Sequence, residues 1–245
     1  MKGDMANMKK LLFLVPLIVF VACADSSLPA TSISQSVIVL PAPVTYGSMS
    51  VEEALANRRS RRNFQDRAIT LEQVSQILWA AYGVTYPMPG AHPGIRGGLR
   101  TTPSAGATFP LEVYLVVGNV EGLEPGVYRY VSEVHKLVKV VYGDVRNELS
   151  YAALGQRWVR EAPAIVLYSA VFYRTTSFYG ERGVMYVHIE LGHSAQNVYL
   201  QAEALGLGTV ALGAFINDRV RQILSLPDDE EPLYIMPIGY FYVTE

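Results

Sequence analysis

The sequence is poor in cysteine, with a single residue of this type, Cys23, among 245. One thiol cannot form a disulfide within the chain, so the fold must be held together by its apolar core. Hydrophobic residues make up 50% of the chain, and its length suits one domain or two small ones. We therefore expect a globular domain that needs no covalent cross-link.

Charge is scarce as well. The chain has 20 Lys and Arg against 22 Asp and Glu, which gives a formal net charge of −2. A protein that binds nucleic acid without regard to sequence needs a basic excess to displace counterions. Because no such excess exists, the composition excludes nucleic acid as an expected partner.

Signatures of metal sites and of serine hydrolases are missing. His188 and His193 lie five residues apart, whereas a zinc-binding pair on a helix lies four apart. Glu190 stands between them with no further ligand nearby in the sequence, so we predict no metal site. The chain also lacks the Gly-x-Ser-x-Gly elbow that would support hydrolase chemistry.

A dinucleotide-binding turn is absent too, although GLGTVA at residues 206–211 matches Gly-x-Gly-x-x-Ala. That turn requires a strand before the glycines and a helix after them, and here the predicted order is the reverse. We interpret Gly206 and Gly208 as residues that end a helix and turn the chain. An alternative is that Gly208 and Gly213 bring the backbone close to a flat ligand.

The N-terminal segment has the pattern of an export signal. Lysines precede twelve uncharged residues, LLFLVPLIVFVA, and Cys23 follows at once. This resembles a bacterial lipoprotein signal, in which the cysteine becomes the lipidated N-terminus, although Phe20 stands where that pattern prefers Leu. We predict a signal peptide over residues 1–22 and a membrane anchor at Cys23 in the cell envelope. An ordinary signal, an uncleaved anchor and a misassigned start are the alternatives.

Composition divides the rest of the chain. Residues 23–47 are rich in Ser, Pro and Ala and show no helical period, which predicts a tether followed by an extended arm. The folded domain is expected over residues 48–245. Its predicted strands alternate with helices at 111–118, 126–141 (a hairpin), 162–172, 208–215 and 232–240. This order predicts a mixed α+β domain rather than a regular βαβ repeat.

Helices are indicated by capping pairs and by apolar periodicity. Ser50 with Glu53, and Thr70 with Gln73, form N-terminal capping pairs, and Gly83 is expected to end the second helix. The longest helix has an apolar stripe and is predicted to be the central buried helix. The stripe consists of Val184, Val187, Leu191, Ala195, Val198, Ala202 and Leu205.

Two segments are candidates for ligand binding. RRSRRNF at residues 58–64 places four arginines around Ser60. Guanidinium forks and a hydroxyl can hold a phosphate through charge-assisted hydrogen bonds, whereas the alternative is a solvated basic stretch. RTTPSAGATFP at residues 100–110 is rich in small side chains that allow a planar ring to approach the backbone. Its alternative is a surface loop between two elements.

Five fragments taken in order resemble one family. They are RRSRRNF…ITLEQVSQILWAAYGVT, RTTPSAGATFPLEVYLV, GLEPGVYRY, YGERG…IELGHSAQNVYLQAEALGLGTVALGAFIND and PLYIMPIGY. Over roughly residues 50–240 the chain resembles the SagB-type dehydrogenase branch of the FMN-dependent nitroreductase superfamily. The resemblance implies a nitroreductase-like α+β fold with a central, mainly antiparallel sheet flanked by helices. It also implies an intertwined homodimer with FMN at the interface.

The resemblance assigns residues to the cofactor. Arg58, Arg59, Ser60 and Arg62 match the contacts to the FMN phosphate and ribityl chain, whereas Arg61 faces elsewhere in the family pattern. The loop at the flavin ring, expected from the partner subunit, is matched by Pro103, Ser104, Ala105 and Gly106. A backbone contact near the reactive ring nitrogen is matched by Leu212 and Gly213.

Two departures from the family pattern bear on function. Azoline dehydrogenases of this branch have a catalytic Lys-Tyr pair, but here Phe178 stands in place of the lysine and only Tyr179 remains, as the one catalytic candidate. A tyrosine is a poor base at neutral pH. The basic residue that many nitroreductases have after the final Gly-Tyr is replaced by FYVTE. The phosphate must then rely on the arginine segment.

The resemblance implies an FMN-dependent oxidoreductase that transfers hydride between a donor or substrate and an acceptor. NAD(P)H is a candidate donor, and a small molecule or a peptide is the expected substrate. One alternative is azoline-to-azole dehydrogenation on a modified peptide. Another is a flavin-binding lipoprotein without catalytic activity.

Overall fold

The computed structural model describes residues 36–89 and 96–242. The predicted signal peptide, Cys23 and the first part of the predicted tether lie outside these residues. None of the helices in the described ranges has the length and hydrophobicity that crossing a bilayer requires.

The described residues contain nine strands. They are β1 (Val37–Val39), β2 (Val84–Pro87), β3 (Gly98–Arg100), β4 (Leu111–Val117), β5 (Gly126–Val131), β6 (Lys136–Tyr142), β7 (Ala164–Ala170), β8 (Gly208–Thr209) and β9 (Glu231–Gly239). Seven of them form one sheet in the order β1-β6-β5-β4-β7-β9-β8, and β2 pairs with β3 separately. Every neighbouring pair in the large sheet is antiparallel. The predicted α+β fold with a central antiparallel sheet is confirmed.

Within the described ranges, seven α-helices are arranged around the sheet. They are α1 (Val51–Asn57), α2 (Leu71–Tyr82), α3 (Arg146–Ala152), α4 (Arg157–Glu161), α5 (Tyr173–Tyr179), α6 (Arg182–Ala204) and α7 (Asn217–Leu224). The side chain of Ser50 accepts a hydrogen bond from the backbone of Glu53, and Thr70 with Gln73 forms a complete capping box. These side chains satisfy backbone N–H groups that the first turn of a helix leaves unpaired.

The sheet is covered on both faces, as the side chains of β4 show. Leu111, Val113, Leu115 and Val117 pack into a core cluster with α2 and α6. Tyr114 and Val116, which point to the opposite face, pack into a second cluster with residues of α3, α4 and α7. Because successive side chains of a strand alternate between faces, a strand buried on both sides reads as a continuous apolar run.

Helix α6 is buried on one side only, so the prediction of a central buried helix is partly wrong. Five members of the predicted stripe are buried against the sheet: Val187, Leu191, Ala195, Val198 and Ala202. Val184, however, is 42% exposed, and Met185 and Ile189 beside it are 47% and 46% exposed. The start of α6 therefore presents apolar side chains on its outer face.

The predicted arm includes an ordered edge of the sheet. Strand β1 pairs with β6, and Leu40 is buried, with its N–H donating to the carbonyl of His135 over 3.2 Å. The Ser75 hydroxyl donates to the Pro41 carbonyl over 2.6 Å. Residues 36–41 are thus attached to the domain through backbone and side-chain hydrogen bonds.

Some element boundaries differ from those predicted. The strand expected over residues 208–215 is only two residues long. Leu212 pairs with Ile235 in the same register beyond a break at which the Ala211 N–H donates to the Tyr199 hydroxyl. Helices α3, α4 and α5 and the pair β2–β3 were not predicted. Gly206, with φ of +69°, follows the end of α6 in the left-handed region, in agreement with its predicted role as a helix-ending residue.

Candidate active site

The arginine segment follows α1 and lies beside β8. Ser60 forms a parallel bridge with Thr209, and the N–H of Arg61 donates to the Thr209 carbonyl over 2.9 Å. The chain continues from β8 directly to Leu212 and Gly213. The structure therefore brings together two of the three predicted cofactor segments within one chain.

One tyrosine of α6 joins these two segments. The Tyr199 hydroxyl accepts a hydrogen bond of 2.8 Å from the N–H of Ala211 and lies 3.1 Å from the hydroxyl of Ser60. The Arg58 guanidinium carbon lies 5.3 Å from the centroid of the Tyr199 ring. Tyr199 therefore contacts the middle of the arginine segment and the backbone that leads to Gly213.

The arginines of the segment have different surroundings. Arg59 donates from Nη1 to the carbonyls of Ala56 and Arg58, at 3.0 and 2.8 Å, and so caps the end of α1. The guanidinium carbon of Arg61 lies 4.5 Å from the centre of the Phe241 ring, on FYVTE, the segment that lacks a basic residue. Arg61 thus packs on Phe241, whereas Arg58 lies near Tyr199.

In the described ranges, no carboxylate pairs with an arginine of residues 58–62. Within the described ranges, none of Arg58, Arg59, Arg61 and Arg62 has an acidic oxygen within 4.0 Å, although six other arginines do. Thr209 Oγ1, in the strand beside Ser60, is buried and has no hydrogen-bond partner there. Guanidiniums without a carboxylate partner, next to the Ser60 hydroxyl, fit a phosphate group.

Leu212 and Gly213, the two predicted ring contacts, differ in whether their backbone groups are free to bind a ligand. Both backbone groups of Leu212 are used by Ile235, over 2.9 and 3.0 Å. Gly213 is exposed, and a Cβ placed on it would meet only the Tyr234 ring, at 3.6 Å. Gly213, rather than Leu212, can therefore offer an N–H group to a planar ligand.

The loop at residues 103–106 is joined to the predicted catalytic tyrosine. Ala105–Ala107 form a 3₁₀ turn in which Gly106 has φ of +60°. A Cβ on Gly106 would lie 2.6 Å from the Tyr179 hydroxyl, so this hydroxyl lies directly against the loop. Phe178, at the position of the missing lysine, is 68% exposed.

The same loop forms one wall of a cavity of about 270 Å³. Pro103, Ser104 and Ala105 line it on one side, and the other side consists of four residues of α6: Tyr186, Ile189, Glu190 and His193. The hydroxyl of Tyr82 donates to Glu190 Oε1 over 2.5 Å. Burial raises the pKa of Glu190 to about 7, against the lowering effect of hydrogen bonds from Ser104 and Tyr82 and of the Arg100 charge.

Two other buried carboxylates differ from Glu190. Burial alone would raise the pKa of Glu112, but Arg96, Arg129 and Arg174 surround it and hold its pKa below the ordinary value. Glu230 accepts from Tyr114 and Ser169, and burial raises its pKa. Across the described residues, no three His, Cys, Asp or Glu side chains are placed so that they could hold a metal ion.

The two candidate ligand-binding regions contact different parts of α6, the arginine segment at Tyr199 and the loop at Glu190. Glu190 and Tyr199 are nine residues apart, which corresponds to about 13 Å along a helix. Among the described residues of one chain, residues 103–106 form no hydrogen bond or bridge with residues 58–62. The loop and the arginine segment are thus separate candidate regions within the described part of the chain.

Tyr199 and Glu190 were not predicted to contribute to the site. A tyrosine on a long amphipathic helix is typical of packing, so the sequence gives no signal for Tyr199. Glu190 does have a signal, because it lies three residues after Val187 and one before Leu191, on the buried face of the stripe. Asn197, also on α6, donates to the Thr101 carbonyl over 3.2 Å.

Comparison with known proteins identifies the family of the chain. The nitroreductase family model matches residues 55–240. A protein of Methanocaldococcus jannaschii described as a candidate nitroreductase is 46% identical over 78% of this chain and 91% of its own length. The FMN reductase (NADPH) of Bacillus subtilis is 23% identical over 77% of this chain and 64% of that protein. A crystal structure of a candidate nitroreductase from Ralstonia eutropha superposes with a TM-score of 0.72 at 30% identity, covering 88% of this chain and 94% of the other.

Proposed function

Because the chain belongs to the nitroreductase family of oxidoreductases, we propose that it binds FMN and transfers hydride equivalents between a donor and an acceptor. The relatives include an FMN reductase that uses NADPH, which supports flavin as cofactor and NAD(P)H as donor. Within the family we assign the chain to the SagB-type branch, on the motifs quoted above. Phe178 in place of the lysine disfavours azoline oxidation as its reaction.

One observation carries the proposal. Three predicted phosphate contacts, Arg58, Ser60 and Arg62, lie in a segment without a carboxylate partner in the described ranges. The Tyr199 hydroxyl links Ser60 to Ala211, two residues before the exposed Gly213, and the Arg62 guanidinium lies 5.8 Å from the centre of the Trp158 ring. A cluster of like charges is unfavourable unless an anion or solvent neutralises it. A ligand that carries both a phosphate and a planar ring, as FMN does, would neutralise the charge and accept a hydrogen bond from the open backbone at Gly213.

The residues of the chain have distinct roles in this proposal. FMN, when bound, supplies reversible two-electron chemistry to the site. Arg58 and Arg62 would neutralise its phosphate, and the hydroxyl of Ser60, oriented by Tyr199, would donate to the same group. The N–H of Gly213 would orient the ring, and the Tyr179 hydroxyl would hold a proton beside the loop at Gly106.

We also propose that the active form is a homodimer. Members of the nitroreductase family are commonly dimeric. The start of α6 exposes Val184, Met185 and Ile189, and Phe178 is exposed just before it. An apolar surface of this kind next to one of the candidate regions favours burial against a second copy. The partner would then bring its loop at residues 103–106 to the arginine segment.

We further propose that the protein is exported and anchored at the cell envelope through a lipid on Cys23. The support is the sequence pattern of residues 1–23. Fractionation of cells that produce the full chain tests this, with the expectation that the protein is in the membrane fraction. Cys23→Ser is expected to move it out of that fraction. An unchanged distribution would contradict lipid anchoring.

The cofactor proposal is tested by the visible spectrum of the purified protein and by titration of the apoprotein with FMN. We expect a yellow protein, and we expect Arg58→Ala and Arg62→Ala each to weaken FMN binding by about 10-fold or more, since each removes a charge-assisted contact. Arg219→Ala, an exposed arginine on α7, is the matched control. A colourless protein with no affinity for FMN would contradict the proposal.

Two rival functions are separated by electron transfer from defined donors. A flavin-binding protein without catalytic activity would bind FMN but remain oxidised with NADH and NADPH, while dithionite still reduced it. An azoline dehydrogenase would oxidise an azoline peptide, which we expect only after Phe178→Lys restores the base. Rapid azoline turnover by the wild-type protein would overturn the role given to residue 178.

A further inference from the structure

We infer that Glu190 is a catalytic acid of the cavity beside residues 103–105 and donates a proton to a substrate bound there. The inference rests on the proposed function, because the substrate must also receive a hydride equivalent. It assigns a proton donor to a chain whose Phe178 stands where azoline dehydrogenases have a catalytic lysine.

Glu190 is buried in the wall of the cavity. Its side chain is only 2% exposed, yet it lines a cavity of about 270 Å³ together with Tyr186, Ile189 and His193. A cavity of this size accommodates a small planar molecule. Glu190 therefore lines a space large enough for a small molecule while almost none of its own surface is exposed.

The groups near Glu190 affect its pKa. Tyr82 from α2 and Ser104 from the loop are hydrogen-bonded to the carboxyl group, and Arg100 from β3 is the nearby cation. Tyr186 and His193 from α6 line the same cavity. Arg100, however, is paired with Glu133 at 3.0 Å. Glu190 thus lacks the ion pairs of Glu112, and burial raises its pKa to about 7. General acids act best when their pKa lies near the working pH.

The proposed step gives the substrate one hydride equivalent and one proton. A substrate with a polarised double bond, such as a quinone, accepts a hydride equivalent from the reduced flavin of the proposed function. The O–H bond of the Glu190 carboxyl breaks, and its proton forms a new O–H bond on the substrate oxygen. The substrate gains two electrons and two hydrogens, the flavin is oxidised, and the remaining carboxylate takes a proton from water.

The proton site can be tested without catalysis. Infrared difference spectra of the protein as a function of pH report the C=O band of a protonated carboxyl group. We expect a band that disappears as the pH rises through about 7. It should be absent in Glu190→Gln and present in Glu230→Gln, the control for a second buried, hydroxyl-bonded carboxyl group.

The catalytic role can be tested by comparing two electron acceptors. 1,4-Benzoquinone needs protons as it is reduced, whereas ferricyanide accepts one electron and no proton. We expect Glu190→Gln to slow reoxidation of the reduced protein by benzoquinone by about 100-fold or more, and to leave ferricyanide reduction unchanged. Glu190→Asp should recover part of the benzoquinone rate, and Glu230→Gln should retain all of it.

Several outcomes would overturn the inference. These are a carboxyl band that persists in Glu190→Gln, an unchanged benzoquinone rate, or an equal loss with both acceptors. A protein that binds no flavin would contradict the proposed function and the substrate step together. A flavoprotein whose Glu190→Gln variant behaves as the wild type would contradict only the inference.

Discussion

At the scale of single residues, the Tyr199 hydroxyl connects Ser60 with the backbone at Ala211. We expect Tyr199→Phe to reduce FMN affinity by about 10-fold, because the Ala211 N–H loses its acceptor and Ser60 loses its orientation. Riboflavin, which lacks the phosphate, should lose less affinity. Titration of the apoprotein with both flavins measures the difference.

The control for this change is Tyr173→Phe, which removes the hydroxyl of an exposed tyrosine on α5. It should bind both flavins as the wild type does. If Tyr199→Phe weakens FMN and riboflavin equally, Tyr199 supports the ring side of the site and the proposed orientation of Ser60 is wrong.

Glu190 should also affect stability as a function of pH. Its pKa is raised to about 7 in the folded protein, so the folded state holds a proton that the unfolded state has released above pH 4.5. The stabilisation that Glu190 gives the folded state is complete below pH 4.5, the pKa of the unfolded state, and is lost as the pH rises through about 7. The free energy of unfolding should fall by about 3 kcal/mol over this window because of Glu190 alone.

Glu190→Gln, which stays neutral, should remove this part of the pH dependence. Denaturant unfolding between pH 4.5 and 8 measures it as the difference between variant and wild type, since the lowered pKa of Glu112 acts in the opposite direction in both. Parallel curves for the two proteins would show that Glu190 does not titrate in this range.

At the scale of elements, helix α2 depends on the capping box at its start. Thr70 accepts from the Gln73 N–H over 3.2 Å, and the Gln73 side chain accepts from the Thr70 N–H over 3.0 Å. Thr70→Ala should lower the free energy of unfolding by about 1 kcal/mol. FMN affinity should remain the same, because the hydrogen bonds of the capping box join Thr70 to Gln73 at the start of α2. Chemical denaturation with and without FMN measures both, and a selective loss of FMN affinity would contradict the prediction.

Elements with local signals could be predicted from the sequence. The capping pairs, the hairpin and the strands at 111–118 and 232–240 follow from residues close together in the chain. Strand β1 could not be predicted, since its pairing with β6 joins residues about 100 positions apart. The outer face of α6 was also missed, because an apolar periodicity does not show whether a helix packs on one side or on both.

The arginine segment and the small-residue loop were identifiable from the sequence because their composition is unusual. Their arrangement was not, since it depends on how Ser60 pairs with Thr209 and on where α6 places Tyr199. Glu190 has the local signal of a carboxylate in an apolar stripe. Its role depends on Tyr82, which is 108 residues away in the chain.

At the scale of the whole molecule, the separation of the two candidate regions predicts that cofactor binding and association occur together. Met185→Glu places a charge on the exposed apolar start of α6 and should convert a dimer to a monomer, since a buried unpaired charge is strongly unfavourable. The monomer should also lose FMN. Light scattering and the flavin spectrum measure the two effects.

Tyr151→Glu, a charge at an exposed aromatic residue of α3, is the control and should change neither property. If Met185→Glu remains dimeric with bound FMN, the interface lies elsewhere. If it becomes monomeric and keeps FMN at wild-type affinity, a single chain holds the whole site and the proposed sharing of residues between subunits is wrong.

The strand at the N-terminal edge of the sheet has a consequence for solubility. The two edge strands are short, three residues for β1 and two for β8, and short edges resist pairing with other molecules. Without β1, the seven residues of β6 would become an open edge. A protein shortened to begin at residue 42 should therefore aggregate more readily than the longer chain, even though every predicted cofactor residue is retained.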